Sequence, residues 1–285
     1  MTPWRHQIFR RLQPVVHRAS RFEPVRRVLF RYYDRKSTRL NPVHPFDTQY
    51  HVDTSGHLQG NVLGLGPGGD PNSNTGYGGS QPSIIRAALS AIPNPERAAF
   101  VDIGCGKGRA LIVASEFAFR SVVGIEISPE LARIAEQNAA VIAHEQPGRT
   151  PITVITGDAL DIHNLPSGDL VVYLFNPFGK NLTERLRSNI ETALSQETRT
   201  IYIISYNPVW GEIFDHSPLL QRVSATDIPY DSSEIGHGPD SSDVVIIWQD
   251  RKNAPSEVPV EAARPILLTK SGWHVELADP PPDES

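Results

Sequence analysis

The stretch Val101-Asp-Ile-Gly-Cys-Gly-Lys-Gly-Arg109, followed by Ser121-Val-Val-Gly-Ile-Glu-Ile127, limits what this chain can fold into more than any other segment. An apolar run from Ala98 to Ile103 reads as a strand, and glycines follow at 104, 106 and 108. A helix is expected to open at Arg109, and a second apolar strand ends in Glu126. Glycine allows close approach of backbone to a ligand, and the first turn of a helix offers unpaired N–H groups, so the arrangement reads as a nucleotide site. The Glu126 carboxylate, at the end of the next strand, is placed to accept from both hydroxyls of a ribose.

Glycine spacing narrows the nucleotide. A dinucleotide fingerprint needs glycine at 109, where this chain has Arg109. The pattern is instead G-x-G-x-G, with Asp102 two residues before the first glycine. It resembles motif I of the class I S-adenosylmethionine (SAM) dependent methyltransferases. Taken alone, the triplet also fits a plain turn or another nucleotide-binding fold.

Further signals follow in the order that this family requires. Ile152 to Thr156 is a β-branched run leading into Gly157-Asp158-Ala159. This is similar to the family segment whose acidic side chain holds the adenine amino group, although a Gly-Asp turn explains it equally. Asp169 to Phe175 is nearly all apolar, as for a strand buried on both faces, and runs into Asn176-Pro177-Phe178-Gly179. That tetrapeptide resembles the Asn/Asp-Pro-Pro-Tyr/Phe motif of amino-methylating enzymes without its second proline. A strand-ending Asn-Pro turn is the plainer explanation. The resemblance covers roughly residues 80–249 and is nearest in character to seven-strand lysine and amine methyltransferases. It implies SAM as cofactor, held by Asp102, Gly104, Cys105, Gly106, Gly108, Glu126, Ile127, Asp158, Ala159 and Asn176. Tyr77, within Gly76-Tyr77-Gly-Gly-Ser80, resembles an aromatic residue that closes over the cofactor in several such enzymes.

The rest of the chain supports an α/β fold: a doubly wound, mainly parallel seven-strand sheet with an antiparallel last strand and helices on both faces. Ser80 with Pro82, and Ser128 with Pro129, mark two helix starts. Leu182, Leu186, Ile190 and Leu194 mark the face of another helix. Strands five to seven are expected at Thr200–Ser205, Leu220–Ala225 and Val244–Trp248, with a terminal hairpin near Ser271-Gly272. The expected organisation is a basic helical segment over 1–45, a glycine-rich flap over 46–80, the SAM-binding domain over 81–250 and an extension over 251–285. Eight glycines fall between Gly60 and Gly79, which suits either a mobile flap or a linker.

Charge divides the chain. Residues 1–40 carry eleven basic side chains against Glu23 and Asp34, a local +9, and since the whole chain stands at −5 the remainder carries −14. Val25, Val28, Leu29 and Tyr32 recur there at helical spacing and are expected to pack on the protein, leaving the arginines in water. Contact with nucleic acid or an anionic membrane surface is the alternative. Asp227, Asp231, Glu234, Asp240 and Asp243 lie in a stretch without Lys or Arg, which reads either as a solvated loop or as an attractor of a cationic amine.

The single cysteine, Cys105, excludes an internal disulfide, and no apolar run is long enough for a bilayer, so a cytoplasmic enzyme is expected. The ten histidines show no metal-binding spacing; His51 and His57 form the nearest pair, and no metal is expected. Asn176 Oδ1 and the Pro177 carbonyl are the expected acceptors that aim a nucleophile, with Phe178 and Tyr77 as an apolar wall. The expected activity is methyl transfer from SAM, with a protein lysine or small amine favoured as acceptor. A nucleic-acid methyltransferase using the basic arm and a non-catalytic SAM-binding regulator are the alternatives.

Overall fold

A computed structural model describes residues 15–16, 18–40, 42–65, 72–269 and 272–279. The elements run α1 (Glu23–Leu40), α2 (Pro45–Tyr50), β1 (His57–Leu58), β2 (Tyr77–Gly78), α3 (Pro82–Ser90), β3 (Ala99–Ile103), α4 (Arg109–Ala114), β4 (Ser121–Glu126), α5 (Pro129–Glu145), β5 (Ile152–Thr156) and β6 (Leu170–Leu174). They continue as α6 (Lys180–Gln196), β7 (Ile201–Tyr206), α7 (Glu212–Asp215), β8 (Leu220–Pro229), β9 (Ser242–Asp250), β10 (Ile266–Thr269) and β11 (His274–Leu277).

Seven strands form one sheet in the order β5-β4-β3-β6-β7-β9-β8. Pairing is parallel from β5 to β7, while β9 runs antiparallel to both β7 and β8. Strands β3 and β6 are buried at every position, which is why their sequences do not alternate. Successive side chains feed opposite layers. Phe100, Val122, Tyr173 and Ile204 pack beneath α3, α4 and α5, whereas Val101, Ile125, Val172 and Ile203 pack with Leu186 and Ile190 of α6. The strand order reverses between β3 and β6, so a crevice opens beyond their carboxyl ends.

Several local expectations change. The stripe of Val25, Val28 and Tyr32 does not pack on the protein; these residues are 41%, 66% and 59% exposed. The inner face of α1 is instead Phe30, Tyr33 and Ser37, with Arg26 paired to Glu130 at 3.0 Å. Arg26 takes a place on that face because the buried Glu130 provides an acceptor. Ser80 does not cap α3. Gln81 holds the cap position without a side-chain bond, and Glu234, from a distant turn, accepts the Ser83 N–H at 2.9 Å. Ser128 does cap α5, its hydroxyl accepting the Leu131 N–H at 3.4 Å. Within α5, Ile142 rather than Val141 is buried.

The glycine-rich segment is tied at both ends among the described residues. Leu58 pairs with Tyr77, Thr75 N–H donates to the Pro177 carbonyl at 3.0 Å, and Gly179 N–H donates to Ser73 at 2.9 Å. The expected terminal hairpin is β10–β11, although Lys270 and Ser271 of its turn lie outside the described residues, as do 1–14, 66–71 and 280–285. Among the described residues no helix is long and apolar enough to cross a membrane.

Candidate active site

A cavity of about 950 Å³ opens at the carboxyl edge of β3, β4, β6 and β7. Tyr77, Asp102, Gly104, Cys105, Gly106, Glu126, Ile127, Asp158, Ala159, Asn176, Pro177 and Phe178 all line it, so residues spread over a hundred positions converge. Gly108 does not line it. That glycine is the N-cap of α4, at φ +85°, facing Ala135.

The glycine loop is shaped by what presses on it. A Cβ at Gly106 would lie 2.4 Å from Cδ2 of Tyr77, and one at Gly104 would lie 2.9 Å from Cβ of Pro177, so neither position tolerates a side chain without displacement. Tyr77 is therefore packed against the loop, its hydroxyl donating to the Thr54 carbonyl at 2.6 Å. Both cations of the loop hold the preceding segment, Arg109 from within the cavity lining and Lys107 from outside it. Lys107 Nζ meets Asp34 at 2.9 Å, Asp53 at 2.8 Å and the Ser55 carbonyl at 2.9 Å. Arg109 donates to Thr54 Oγ1 at 2.7 Å, the Thr54 carbonyl at 2.8 Å and the Ser80 carbonyl at 3.2 Å. Lys107 and Arg109, two cations within the glycine loop, are the sequence signal for this clamp.

Glu126 sits at the end of β4 with one oxygen accepting the Gly106 N–H and the other the Ser128 N–H, each at 2.8 Å. Burial pushes its carboxyl above the usual range while these bonds pull it back. Asp102 is buried, makes no hydrogen bond among the described residues, and is pushed up by burial and by the nearby Glu126. Tyr173, its neighbour across the sheet, has a buried hydroxyl without a hydrogen bond of normal geometry. Asp158 lies at the rim, where Oδ1 accepts the Leu160 N–H at 2.9 Å.

The Asn176 corner differs from expectation. Asn176 adopts φ +45°, its amide donates to the Asn207 carbonyl at 2.6 Å, and Oδ1 accepts the Val209 N–H at 3.2 Å. The Pro177 carbonyl accepts from Thr75. Both groups expected to aim a nucleophile are thus engaged in joining loops. A strand-terminal Asn in the left-handed region uses its amide to satisfy neighbouring backbone. A second Asn-Pro corner, Asn207-Pro208 at φ +46°, repeats the device: it accepts from Val275 N–H at 2.8 Å and donates to the Trp273 carbonyl at 2.9 Å. This pins the start of β11, and with it His274, to the cavity.

Beyond these corners stands a wall of which the sequence showed only the two carboxylates Asp240 and Asp243. Phe175 and Tyr206 stack at 4.4 Å and 17°. The hydroxyls of Tyr206, at 2.6 Å, and Tyr230 both donate to Oδ2 of Asp243. His274 Nδ1 lies 3.3 Å from Asp240 and 3.7 Å from Asp243, and all six residues line the cavity. Burial raises the Asp243 carboxyl, with the two hydroxyls opposing. Burial also raises both tyrosines, so they remain donors. The donor atoms of Asp240, Asp243 and His274 lie within 4.8 Å of one another, a grouping absent from the expected metal-free pattern because His274 follows Asp243 by 31 positions in a different sheet. Of the five carboxylates in that acidic stretch only these two reach the cavity: Glu234 serves α3 and Asp231 accepts from Ser233.

Residues 100–196 match the model of a methyltransferase domain family. No curated protein matches the chain. Among solved structures, an RNA methyltransferase from Salinibacter ruber in complex with S-adenosyl-L-homocysteine is 18% identical at a TM-score of 0.42, over 64% of this chain and 99% of its own. A ribosomal protein L11 methylase from Lactobacillus delbrueckii subsp. bulgaricus is 17% identical at 0.37, over 58% and 76%. The StiE O-MT fragment, residues 942-1257, is 17% identical at 0.41, over 60% and 74%.

The residues present fit SAM on the chemistry of the donor set. A roomy cavity, a side-chain-free glycine cradle, a buried carboxylate at the end of β4 and the buried polar groups of Asp102 and Tyr173 answer a charged, hydroxyl-bearing nucleoside. The strand order, the glycine loop and the match of residues 100–196 to a methyltransferase domain agree on a Rossmann-like methyltransferase domain over that part of the chain, with S-adenosylmethionine as cofactor.

Proposed function

We propose that this methyltransferase acts on the nitrogen of a cationic amine, a protein lysine or a small amine. The observation that carries the reading is the wall where Asp243, held by Tyr206 and Tyr230, stands beside Asp240 on the same cavity as the glycine loop. Paired carboxylates next to aromatic rings favour a cation and disfavour a phosphate.

Glu126 would hold the ribose, Asp158 the adenine amino group, and Gly104, Cys105, Gly106, Ile127 and Ala159 the remaining nucleoside surface. SAM supplies a methyl group on a sulfonium, which moves by in-line displacement and so needs alignment and exclusion of water more than a strong catalyst. Tyr77, Phe175 and Phe178 line the cavity and exclude water around the reacting atoms. Asp240 and Asp243 attract and orient the ammonium. An ammonium has no lone pair, so one N–H proton must leave; the His274 imidazole on the same wall is the group proposed to take it, with Glu276 4.0 Å from Nε2 at the exposed side to pass it outward.

The test is incubation with methyl-labelled SAM and a lysate divided into protein, nucleic acid and small molecules. Label is expected in protein or in small amines, with Asp243→Asn lowering transfer at least a hundredfold while SAM affinity is retained. Label confined to nucleic acid would overturn the amine reading.

A further inference from the structure

Among the described residues the outer face of α1 is left unpartnered, and its chemistry is one-sided. We infer that it docks on an anionic lipid bilayer. Phe22, Val25, Val28, Tyr32 and Leu40 are exposed, between 41% and 73%. Around them Arg18, Arg21, Arg31, Arg35, Lys36 and Arg39 are exposed and enter no ion pair or hydrogen bond among the described residues. The two acids nearby are already answered, Glu23 by Arg27 and Asp34 by Lys107, so no carboxylate opposes this face.

Projected at a hundred degrees per residue, Val25, Val28 and Tyr32 fall on the side opposite Phe30, Tyr33 and Ser37, among Arg21, Arg31, Arg35 and Arg39. Aliphatic side chains between arginines suit a headgroup boundary, where long basic stems lie along the acyl surface and reach phosphate with their ends. A nucleic-acid backbone offers nothing to the valines, which is why lipid is the better fit. The residues after position 40 carry −14 and are repelled by an anionic surface, so the approach is oriented.

Docking this way has a consequence for the site. Phe30, on the inner face, packs with Leu63 and Tyr77, and both of these line the cavity. The cavity wall then lies about one helix diameter, roughly 10 Å, from the headgroups.

The experiment is co-sedimentation of the full chain with vesicles of phosphatidylglycerol mixed with phosphatidylcholine, against phosphatidylcholine alone and against single-stranded RNA. Binding to the mixed vesicles is expected, with little to phosphatidylcholine. Since each basic residue near such a surface contributes about fivefold, R31Q/R35Q/R39Q should weaken binding about a hundredfold. V25S/V28S should weaken it too, with an unchanged melting temperature because both residues are exposed. Equal binding to phosphatidylcholine, or no loss in the arginine variant, would overturn the proposal. So would tighter binding to RNA that V25S/V28S leaves intact, which would make the face a nucleic-acid surface.

Discussion

Lys107 illustrates how a single residue can hold two modules together. Its ammonium is fully buried, a state tolerated only when all three donors are met, and here they meet Asp34 of α1, Asp53 and the Ser55 carbonyl. The ring of Tyr77 lies 5.6 Å below it. One lysine in the glycine loop therefore fixes α1, the segment around Asp53 and Ser55, and Tyr77 of the glycine-rich segment. Replacing it with methionine keeps the volume but leaves two carboxylates without their cation. Removing one partner of a buried pair costs about 3–5 kcal/mol, and because Asp53 is partly solvated the low end applies. Lys107→Met should lower unfolding free energy by about 3 kcal/mol in a denaturant titration. A change below about 1 kcal/mol would mean that water replaces the ammonium at both acids.

At the scale of elements, the central strands were legible because burial on both faces leaves an unbroken apolar run, and β3, β4, β6 and β7 lie within a residue or so of their expected limits. The convergence of the glycine loop, Glu126, Asp158 and Asn176 on one cavity was legible because these residues sit at strand ends or in a local loop. The wall opposite showed in the sequence only as an acidic stretch holding Asp240 and Asp243, without the residues that meet them. Asp243 and His274 meet only because Asn207 ties β11 to the end of β7, a contact between residues 68 positions apart that no local pattern encodes. The α1 stripe misled for a related reason: helical spacing identifies a face but not which face a partner will cover, and the buried Glu130 drew Arg26 inward.

The segment before α3 is an element of a different kind. Its ladder is two residues long, and it is otherwise held by backbone bonds to the Asn176 corner and by Thr75 Oγ1 donating to the Asn176 carbonyl at 2.6 Å. Short ladders with few apolar contacts open readily. A ligand that touches both sides should close that opening, so SAM is expected to slow proteolytic cleavage within residues 72–79. Thr75→Val should speed it in the free protein. Cleavage at equal rates with and without SAM would detach this segment, and Tyr77, from the cofactor site.

Taken whole, the molecule keeps ionisable groups at its cavity in a state that suits a ligand more than the bare fold. Glu126 is the clearest case, its carboxyl raised above the ordinary 4.5 by burial. Because the folded-state value exceeds the unfolded one, the native state binds more protons in the window just above 4.5. The group's contribution to stability is present below that window and declines as the pH rises through the folded-state value. Hydroxyl donors from a ribose favour the ionised carboxylate, so they lower its pKa in the complex. Binding must then release protons, and affinity must rise with pH through the same window. SAM at a hundredfold excess over its dissociation constant stabilises the fold by about 2.7 kcal/mol, read as a shift in thermal unfolding. The pH dependence of that shift is the sharper observable. Titration calorimetry in two buffers of different ionisation enthalpy should register proton release for the parent protein. Glu126→Gln keeps an acceptor for one backbone N–H but cannot titrate, so it should bind SAM more weakly and release fewer protons. Equal release from both proteins would assign the proton to Asp102, whose carboxyl is also raised and lies beside it, and would remove Glu126 from the ribose.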